Sequence, residues 1–461
     1  MKQCTILSPT AILGYGFPEA SFAAGMAMNP DLIAVDAGST DPGPYYLGSG
    51  KSFTDRAGVK RDLRIMLAAG VPRGIPVVIG TAGGCGARPH LQWTREIIEE
   101  IAAEERLDFT MALIASDIPH EVVLQKLGAG RVLPLEHHAP LTAETVGETP
   151  YIVGQIGVEP IQRALAAGVG VVLAGRAYDP AVFAALPIAR GLDRGLALHL
   201  GKILECAAIA AAPGSGSDSV VGILHEDHFE LVPLSNERVF TRESTAAHSL
   251  YEKSDPYHLP GPGGTLDLTA CSFTETDGGR VEVRGTRYVP SDRPTIKIEG
   301  ARRVGYRTIS IAGIRDPIMI TGLDATLSAV RARATMILER ERLDGRVDIR
   351  VYGRDGVMGE WEPRRDTPAH EVGVVIDVVA ETQDAANSIC SLTRSTLLHY
   401  GYPGRISTAG NLAFPFSPSD LPAGPVFEFS LYHLMELDDT ESESLFPYEL
   451  VRVTSPTGDA S

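Results

Sequence analysis

The chain has 461 residues, of which 44% are apolar and 21% are charged, and this length favours two domains because one hydrophobic core rarely serves so many residues. The net charge of −17 argues against a nucleic-acid partner, which would need a basic surface, and no apolar run approaches the roughly 20 residues that span a membrane. Five widely spaced cysteines and the lack of a signal-peptide pattern favour a reducing, cytoplasmic location without disulfides or structural zinc.

The first half of the chain alternates apolar strands with helices. Its predicted strands lie within residues 5–9, 32–38, 75–80, 108–116, 151–157 and 169–175. Its predicted helices span residues 19–29, 56–74, 91–107, 118–130, 158–168, 179–191 and 196–214. Because the strands lack polar alternation, this half predicts an α/β domain whose mostly parallel sheet carries helices on both faces.

Five of these strands end in loops rich in glycine, hydroxyl groups and acids. The loops are DAGSTDPGP (36–44), GTAGGCGARPH (80–90), ASDIPHE (115–121), GQIGVEP (154–160) and AGRAYDP (174–180). Ligands of parallel sheets bind at the carboxyl ends of the strands. We therefore predict that the five loops converge on one shared site.

The second half of the chain has a different pattern. Residues 212–219 have the composition of a flexible linker, and TDGG (276–279) predicts the turn of an antiparallel hairpin. Further strands are predicted at 306–314, 346–353, 371–382 and 426–437, with helices at 323–345 and 383–401. The predicted domains are an α/β domain over residues 1–211 that carries the ligand loops, an α+β domain over 220–453, and a disordered tail over 454–461.

Several stretches along the chain together resemble a known family. They are GYGFPEASF (14–22), DAGSTDPGPYYLGSGK (36–51), GTAGGCGARPH (80–90), LAGRAYDPAVFAALP (173–187), HLGKILECAA (199–208), SDPYHLPGPGGTLDL (254–268) and GNLAFPFSPSD (410–420). With these stretches the chain resembles the acyclic terpene utilisation (AtuA-like) family, which is named for bacterial breakdown of terpenes. The resemblance implies catabolism of carboxylic acids or of their coenzyme A thioesters.

Acidic residues just past the predicted strand ends are candidates for acid–base chemistry. Paired carboxylates in a partly dry cleft can divide into an acid and a base. The alternative is that each acid caps the following helix, which we favour for Asp117 and leave open for Asp179. For Asp36 and Asp41 capping is disfavoured, because no helix is predicted for more than ten residues. We predict that Asp36, Asp41 and Asp179 are catalytic and that Glu159 contacts the substrate.

Arg176 is the candidate for binding a substrate carboxylate. Its planar guanidinium, placed at a strand end, can bind a carboxylate through two hydrogen bonds. The alternative is an internal salt bridge to Asp179. Arg88 and His90, in the neighbouring loop, could bind the substrate instead, and Tyr178 or His90 could donate a proton to a leaving group.

Cys85 lies in a loop whose glycines let the backbone approach a ligand and present amide groups to an anion. A thiolate there could attack a thioester, but a free cysteine is more often a small buried residue. We therefore predict that Cys85 lines the site without acting as a nucleophile. The other predicted substrate-binding residues are Ser39, Thr40, Gly83, Gly84 and Gln155.

Histidines raise the question of a metal ion. They occur at His120, at His137 with His138, and at His225 with His228. None shows the helical spacing that places two ligands on one face, and HEDH (225–228) is predicted to lie in a strand, where the third residue faces the other way. A metal centre is therefore disfavoured and no cofactor is firmly predicted, with Mg²⁺ on carboxylates as the candidate if a metal takes part.

The predicted function is that of a catabolic lyase, a hydratase or dehydratase, acting on a small carboxylate or an acyl-coenzyme A. One carboxylate would abstract the proton next to a carbonyl, while loop amides and Arg176 stabilise the enolate-like charge. Two alternatives stay open. The chain could be a subunit that needs a small partner protein docked on its acidic segment 435–444, or a phosphotransferase that uses DAGST (36–40). The expected assembly is a homo-oligomer or a complex with that partner.

Overall fold

A computed structural model of the chain describes residues 2–135, 138–438 and 441–454. The chain divides into two compact units, Met1–Arg302 with Phe429–Ser461, and Arg303–Glu428. His137 and the predicted tail beyond residue 454 lie outside the described residues. No helix in the described ranges is both long and apolar enough to cross a lipid bilayer.

Strands alternate with single helices or pairs of helices over the first part of the chain, and strands predominate after it. The first sixteen elements run from β1 (Cys4–Ser8), α1 (Glu19–Ala27), β2 (Leu32–Asp36), α2 (Pro44–Ser49), α3 (Arg56–Gly70), β3 (Val77–Gly80), α4 (Arg88–Glu105), β4 (Phe109–Ile114), α5 (His120–Gly128), β5 (Val132–Pro134), α6 (Ala143–Glu148), β6 (Ile152–Gly154), α7 (Val158–Ala166), β7 (Val171–Ala174) and α8 (Asp179–Ala189) to α9 (Arg194–Leu204). They are followed by β8 (Val220–Leu224), β9 (His228–Pro233), α10 (Arg242–Ser249), β10 (His258–Gly261), β11 (Gly264–Asp267), β12 (Ser272–Thr276), β13 (Arg280–Arg284) and β14 (Arg287–Pro290). The remaining elements are β15 (Thr295–Ile314), α11 (Pro317–Thr321), α12 (Leu323–Glu341), β16 (Gly345–Tyr352), β17 (Val372–Ala380), α13 (Gln383–His399), β18 (Asp420–Glu436), α14 (Glu441–Leu445) and β19 (Tyr448–Val453).

The main sheet of the first unit has a parallel centre, in which β1, β2, β3, β7 and β4 are neighbours in that order. Every residue of β2 is buried. Leu32 and Ala34 pack in a core with α7, α8 and α9, whereas Ile33 and Val35 pack in a second core with α3 and α4. Alternate residues of one apolar strand thus face two helical layers, and the predicted α/β class is confirmed.

The sheet does not contain all the predicted strands. β6 was expected among the parallel strands but pairs instead with residues 298–300 of β15 in the same unit. It has only three residues, all buried, and its periodicity could not show which neighbour it would take. The loop after β6 nevertheless stays beside the loop after β7, since Ile156 and Ala177 form a parallel bridge.

The compact units also do not coincide with the predicted boundary at residues 211–220. β8 follows that linker and pairs antiparallel with β1, and β9 and β13 extend the same sheet. At the opposite edge β19 pairs antiparallel with β4. The hairpin of β12 and β13, with its turn at residues 277–279, is as predicted but belongs to this sheet. The division of the chain into independently folding domains remains a prediction.

The second unit is an antiparallel sheet covered by helices. β17 lies between β16 and residues 306–314 of β15 and pairs with both in antiparallel register. α13 packs on β17 and on α12, and the buried residues of all three elements form one core. The predicted α+β pattern of this part of the chain is present.

Candidate active site

A cavity of about 390 Å³ opens at the carboxyl edge of the parallel strands in the first unit. Six of its lining residues were predicted to belong to a site, namely Ser39, Asp41, Gln155, Arg176, Tyr178 and Asp179. Seven further polar residues were not, namely Lys202, Glu205, Glu252, Lys253, Thr295, Lys297 and Tyr432. Three of the five predicted loops, those after β2, β6 and β7, therefore converge, together with residues from β15, β18 and the end of α9. The prediction is wrong for the loops after β3 and β4, which supply no lining residue.

Arg176 is buried and its guanidinium is already engaged by protein groups. Its Nε donates to Glu299 Oε2 at 2.7 Å, and its Nη1 donates to Asp179 Oδ1 at 3.1 Å and to the carbonyl oxygen of Ala177 at 2.9 Å. The alternative of an internal salt bridge to Asp179 is thus realised, with Glu299 as a second and shorter partner. These bonds use Nε and Nη1 of the guanidinium, and Arg176 also lines the cavity.

The glycine-rich loop after β3 supports Arg176 from behind. A Cβ atom on Gly86 would lie 1.9 Å from the backbone nitrogen of Arg176, and Gly86 has a φ of +74°. Ser116 Oγ accepts from that same nitrogen at 2.8 Å and donates to the carbonyl oxygen of Gly86 at 2.8 Å. Only glycine fits this close approach, which fixes the strand end that carries Arg176.

Glu299, on β15, is a buried carboxylate that sequence reasoning missed. Burial opposes its ionisation, but Arg176 and Lys297 overcome this and lower its pKa to about 2. Lys297 Nζ lies 2.9 Å from Glu299 Oε1, and Thr40 Oγ1 donates to the same oxygen at 2.7 Å. Thr40 therefore binds a buried anion of the protein and does not line the cavity.

Lys202 and Glu205 form a second buried ion pair. α9 ends at Leu204, and Glu205 caps it, so a spacing of three residues places both side chains on one face. Lys202 Nζ lies 2.5 Å from Glu205 Oε1, whereas Glu205 Oε2 has no hydrogen-bond partner among the described residues. Burial raises the pKa of Glu205 to about 7, with Asp179 adding to the effect and Lys202 opposing it.

Asp36, the last residue of β2, lies beside this pair. Its carboxyl group is buried, and Oδ1 forms no hydrogen bond with any described residue. Burial and the negative charge of Asp179 raise its pKa well above the ordinary value, although Arg176 opposes this. Asp36 is not among the lining residues, but its charge interacts with Asp179 and Glu205, which do line the cavity.

Asp41 and Ser39 lie at the exposed rim of the cavity. Ser39 Oγ donates to Asp41 Oδ2 at 2.7 Å, and the backbone nitrogen of Asp41 donates to Ser39 Oγ at 3.1 Å. The expectation that no helix follows for ten residues is wrong, because α2 begins at Pro44, a residue that suits the first turn of a helix. Its N-cap is Gly43, so Asp41 does not cap it.

A family model described as "Acyclic terpene utilisation family protein AtuA" matches residues 56–215 and 233–414. The chain belongs to the AtuA family. No curated protein and no solved structure matches it. The family description indicates a catabolic role.

Four of the seven AtuA-like stretches of the sequence contribute residues to the cavity lining. Residues 36–51, which precede the matched region, supply Ser39 and Asp41, and residues 173–187 supply Arg176, Tyr178, Asp179 and Pro180. Residues 199–208 supply Lys202 and Glu205, and residues 254–268 supply Pro260, Gly261 and Pro262. The lysine and glutamate of HLGKILECAA could have been predicted as site residues from the sequence, because a spacing of three on a predicted helix places them side by side.

Several predicted residues lie away from the cavity. His90 is buried, with Nε2 at 3.2 Å and 3.1 Å from the carbonyl oxygens of Tyr46 and Lys51, and burial lowers its pKa. Burial raises the pKa of Cys85 to about 12, so it remains a thiol at neutral pH. Neither residue, nor Gly83 or Gly84, is among the lining residues of the cavity.

The remaining candidates make contacts elsewhere. Glu159 accepts from Arg194 Nη2 at 2.7 Å and is half exposed. Arg88 lines a separate surface pocket, and its backbone nitrogen donates to Asp117 Oδ1 at 3.1 Å. Asp117 therefore binds the first turn of α4, not the helix that follows it in sequence, and the predicted partner for capping is wrong.

Asp179 also does not cap a helix. α8 begins at this residue without a side-chain cap, and the carboxylate of Asp179 instead accepts from Arg176 while it lines the cavity. Tyr178 lies beside it, and burial together with Glu205 raises the pKa of its phenol. Lys253 lines the same cavity, where burial and Lys202 lower its pKa.

Proposed function

We propose that the cavity binds a small carboxylate, or the acyl end of a thioester, and catalyses loss or addition of water next to the carbonyl group. The observation that carries the proposal is Glu205, a buried carboxyl group whose pKa is raised to about 7 and whose Oε2 has no partner among the described residues. A group that titrates near neutral pH is suited to take up and release a proton during each turnover.

The cavity lining carries four cationic side chains that could bind an anionic substrate, and it carries four acids beside them: the cations are Arg176, Lys202, Lys253 and Lys297, and the acids are Asp41, Asp179, Glu205 and Glu252. Burial opposes the charges of Lys202 and Lys297, but Glu205 and Glu299 overcome it and raise both lysine pKa values, so these lysines stay cationic. Asp36 and Glu205 have raised pKa values and hold protons more readily than ordinary acids. The volume of about 390 Å³ suits a small acid, and the nucleotide of coenzyme A would extend beyond it.

In the proposed reaction Glu205 takes the proton from the carbon next to the carbonyl. The electrons move to the carbonyl oxygen, whose charge is stabilised by the nearby cations, including Arg176. The electrons then return to form a carbon–carbon double bond as the carbon–oxygen bond at the next carbon breaks. Tyr178, whose raised pKa keeps it protonated, donates its proton to the leaving hydroxyl, which departs as water. Burial and the charge of Asp179 keep the pKa of Glu205 high, and Asp41 contacts the substrate from the rim.

The chain could also require a partner protein, as the acidic segment 435–444 suggested. Part of that segment is engaged within the first unit, since Glu441 Oε2 lies 2.5 Å from Lys126 Nζ and Asp438 Oδ1 lies 2.8 Å from Arg131 Nη2. This leaves less of the segment for docking and favours the catalytic proposal.

The test is exchange of the proton next to the carbonyl with solvent deuterium, followed by NMR on the purified chain with 3-hydroxy acids and 3-hydroxyacyl-coenzyme A thioesters. Exchange with at least one substrate is expected. It should fall by about 10²-fold or more in Glu205→Gln, which keeps the shape but cannot take up the proton. Glu159→Gln, at an exposed pair outside the cavity, is the matched control. Exchange that survives in Glu205→Gln would contradict the assignment.

A further inference from the structure

A cluster of two histidines and a glutamate lies at one hairpin of the first unit, among the described residues but outside the cavity lining. HEDH (225–228) was predicted to lie in a strand, but β8 ends at Leu224 and β9 begins at His228, so these residues form the turn. The backbone nitrogen of His225 donates to the carbonyl oxygen of His228 at 2.8 Å. The turn places both imidazoles on the same side, with ring centroids 4.4 Å apart and planes 17° apart.

The nitrogen atoms of this histidine pair approach the carboxylate of Glu230. His225 Nε2 lies 3.2 Å and His228 Nε2 lies 3.9 Å from Glu230 Oε1, and one ligand atom from each residue lies within 4.8 Å of the others. Around Zn²⁺, with bonds of about 2.0–2.1 Å, the ligand atoms of a tetrahedral site are about 3.4 Å apart. The distances of 3.2 Å and 3.9 Å from Glu230 Oε1 lie on either side of that value. Because a bound metal ion lies in the plane of each imidazole that binds it, His225 and His228 would have to rotate out of their stacked arrangement to bind one ion.

His225 Nε2 has no hydrogen-bond partner among the described residues, although it is buried and approaches Glu230. A buried polar atom without a partner destabilises the fold unless something else satisfies it. Glu230 is held in place from its other side, where Arg280 Nη1 lies 3.4 Å from Oε2 and leaves Oε1 directed at the histidines.

His228 carries the hydrogen bond that is typical of histidine ligands. Its Nδ1 lies 2.7 Å from Asp227 Oδ1, and Asp227 is itself bound by Arg284. A carboxylate that accepts from Nδ1–H leaves the lone pair on Nε2, the atom that faces Glu230, and metal-binding histidines are commonly oriented in this way.

The charges of the neighbouring strand favour a cation at the same place. Glu282 on β13 lies directly opposite Glu230 in the register of β13 and β9, and like charges in such positions destabilise a sheet. Glu282 Oε2 is 3.6 Å from His228 Nε2. Arg284 Nε lies 2.5 Å from Glu282 Oε1, and Arg280 also contacts Glu230, so these arginines already offset part of the repulsion. A divalent ion between the histidines and Glu230 would reduce the remainder, and Glu282 could serve as a fourth ligand in place of water.

We propose that His225, His228 and Glu230 bind one divalent transition-metal ion, with Zn²⁺ as the ion that suits two imidazoles and one carboxylate. The site lies in residues 216–232, between the two segments that match the AtuA model, and is thus not part of what the family model covers. It ties the β8–β9 turn to β9 and is independent of the reaction proposed for the cavity.

The test is titration of the tag-free, chelator-treated full chain with ZnCl₂ against a chromophoric chelator, with MgCl₂ as the comparison. Binding of one equivalent of Zn²⁺, and no comparable binding of Mg²⁺, is expected. CoCl₂ should give the visible absorption of a tetrahedral site. Asp227→Asn should weaken Zn²⁺ binding by about 10- to 100-fold because it leaves the ligands but alters their orientation. His225→Ala and His228→Ala should weaken it more.

The matched control is His258→Ala, because His258 is an exposed hairpin histidine that also lies near an aspartate, with Nδ1 at 3.4 Å from Asp255 Oδ2. It should bind Zn²⁺ like the unaltered chain. Saturating ZnCl₂ should raise the melting temperature of the unaltered chain and of His258→Ala, but not that of His225→Ala. A melting curve recorded without metal shows whether each variant is folded. Equal Zn²⁺ affinity in the His225, His228 and His258 variants would overturn the proposal.

Discussion

Two buried ion pairs at the cavity wall, Glu299 with Arg176 and Lys297 and Glu205 with Lys202, differ in their proton chemistry. Glu299 contacts two cations, Arg176 and Lys297, and its pKa falls to about 2 although it is completely buried. Glu205 contacts one cation, Lys202, and its pKa rises to about 7. The number of cations for each carboxylate, together with the acids nearby, decides whether it stays a fixed anion or exchanges protons.

The neighbouring acids strengthen the contrast. Asp179 shares Arg176 with Glu299 but adds negative charge next to Glu205, and Asp36 contributes a further acid on that side. Thr40 donates a hydrogen bond to Glu299, whereas Oε2 of Glu205 has no partner among the described residues. Glu299 is therefore suited to orienting Arg176, and Glu205 to chemistry.

The largest effect is expected from removing the cation that Glu299 depends on. Arg176→Met leaves a buried carboxylate without its main partner, and this should lower the free energy of unfolding by about 3–5 kcal/mol in urea denaturation. The control is Arg56→Met, which removes the exposed partner of Glu100 and should cost less than about 1 kcal/mol. Similar losses in both variants would show that Glu299 does not depend on Arg176.

The dependence of stability on pH should have opposite signs for the two glutamates. The pKa of Glu205 rises from 4.5 to about 7, so between these values the folded state binds more protons and the stability falls as the pH rises. The pKa of Glu299 falls from 4.5 to about 2, so its contribution is present above pH 4.5 and is lost as the pH falls towards 2.

Urea denaturation of Glu205→Gln and Glu299→Gln across this pH range measures the two contributions. Glu205→Gln should lose less stability than the unaltered chain between pH 4.5 and 7, and Glu299→Gln should lose less on acidification below 4.5. If both substitutions changed the slope of unfolding free energy against pH in the same direction, the contrast between the two glutamates would be contradicted.

The smallest effect is expected at the hydrogen bond between Thr40 and Glu299. Thr40→Val keeps the shape of the side chain but removes the donor to a buried anion, which should cost about 1.5–3 kcal/mol of unfolding free energy. Ser39→Ala, at the adjacent half-buried position, should stay within about 0.5 kcal/mol. If the two variants are equally stable, the charge of Glu299 is balanced by the cations alone.

The parallel centre of the sheet and one side of the cavity could be predicted from the sequence. The apolar strands that end at Asp36 and Ala174 are separated by helices, and this pattern requires their carboxyl ends to lie at one edge. Arg176, Tyr178 and Asp179 were identified for that reason. The loop of Cys85 and His90 also lies at this edge, but its Gly86 allows close contact with the backbone at Arg176. A pattern of glycines does not show whether they approach a ligand or a neighbouring strand.

The other side of the cavity could not be predicted in the same way. Glu299 and Lys297 lie in the part of β15 that pairs with β6, a non-local contact that no local periodicity reveals. Lys202 and Glu205 have the spacing of neighbours on one helix face. Their stretch is largely apolar, so it was predicted to be one long buried helix, whereas α9 ends at Leu204. The turn at HEDH was missed because a short loop between β-rich segments has few distinguishing residues.

The edges of the main sheet have a consequence for biosynthesis. β8 covers the free edge of β1, and β19 covers the free edge of β4. β19 follows the whole second unit in the chain, so a nascent polypeptide that ends before it exposes the unpaired amide and carbonyl groups of β4. Unpaired strand edges can pair with other chains and cause aggregation. The edge of β4 therefore remains exposed to such pairing while the ribosome is still translating the second unit. A fragment of residues 1–211 would lack both covering strands.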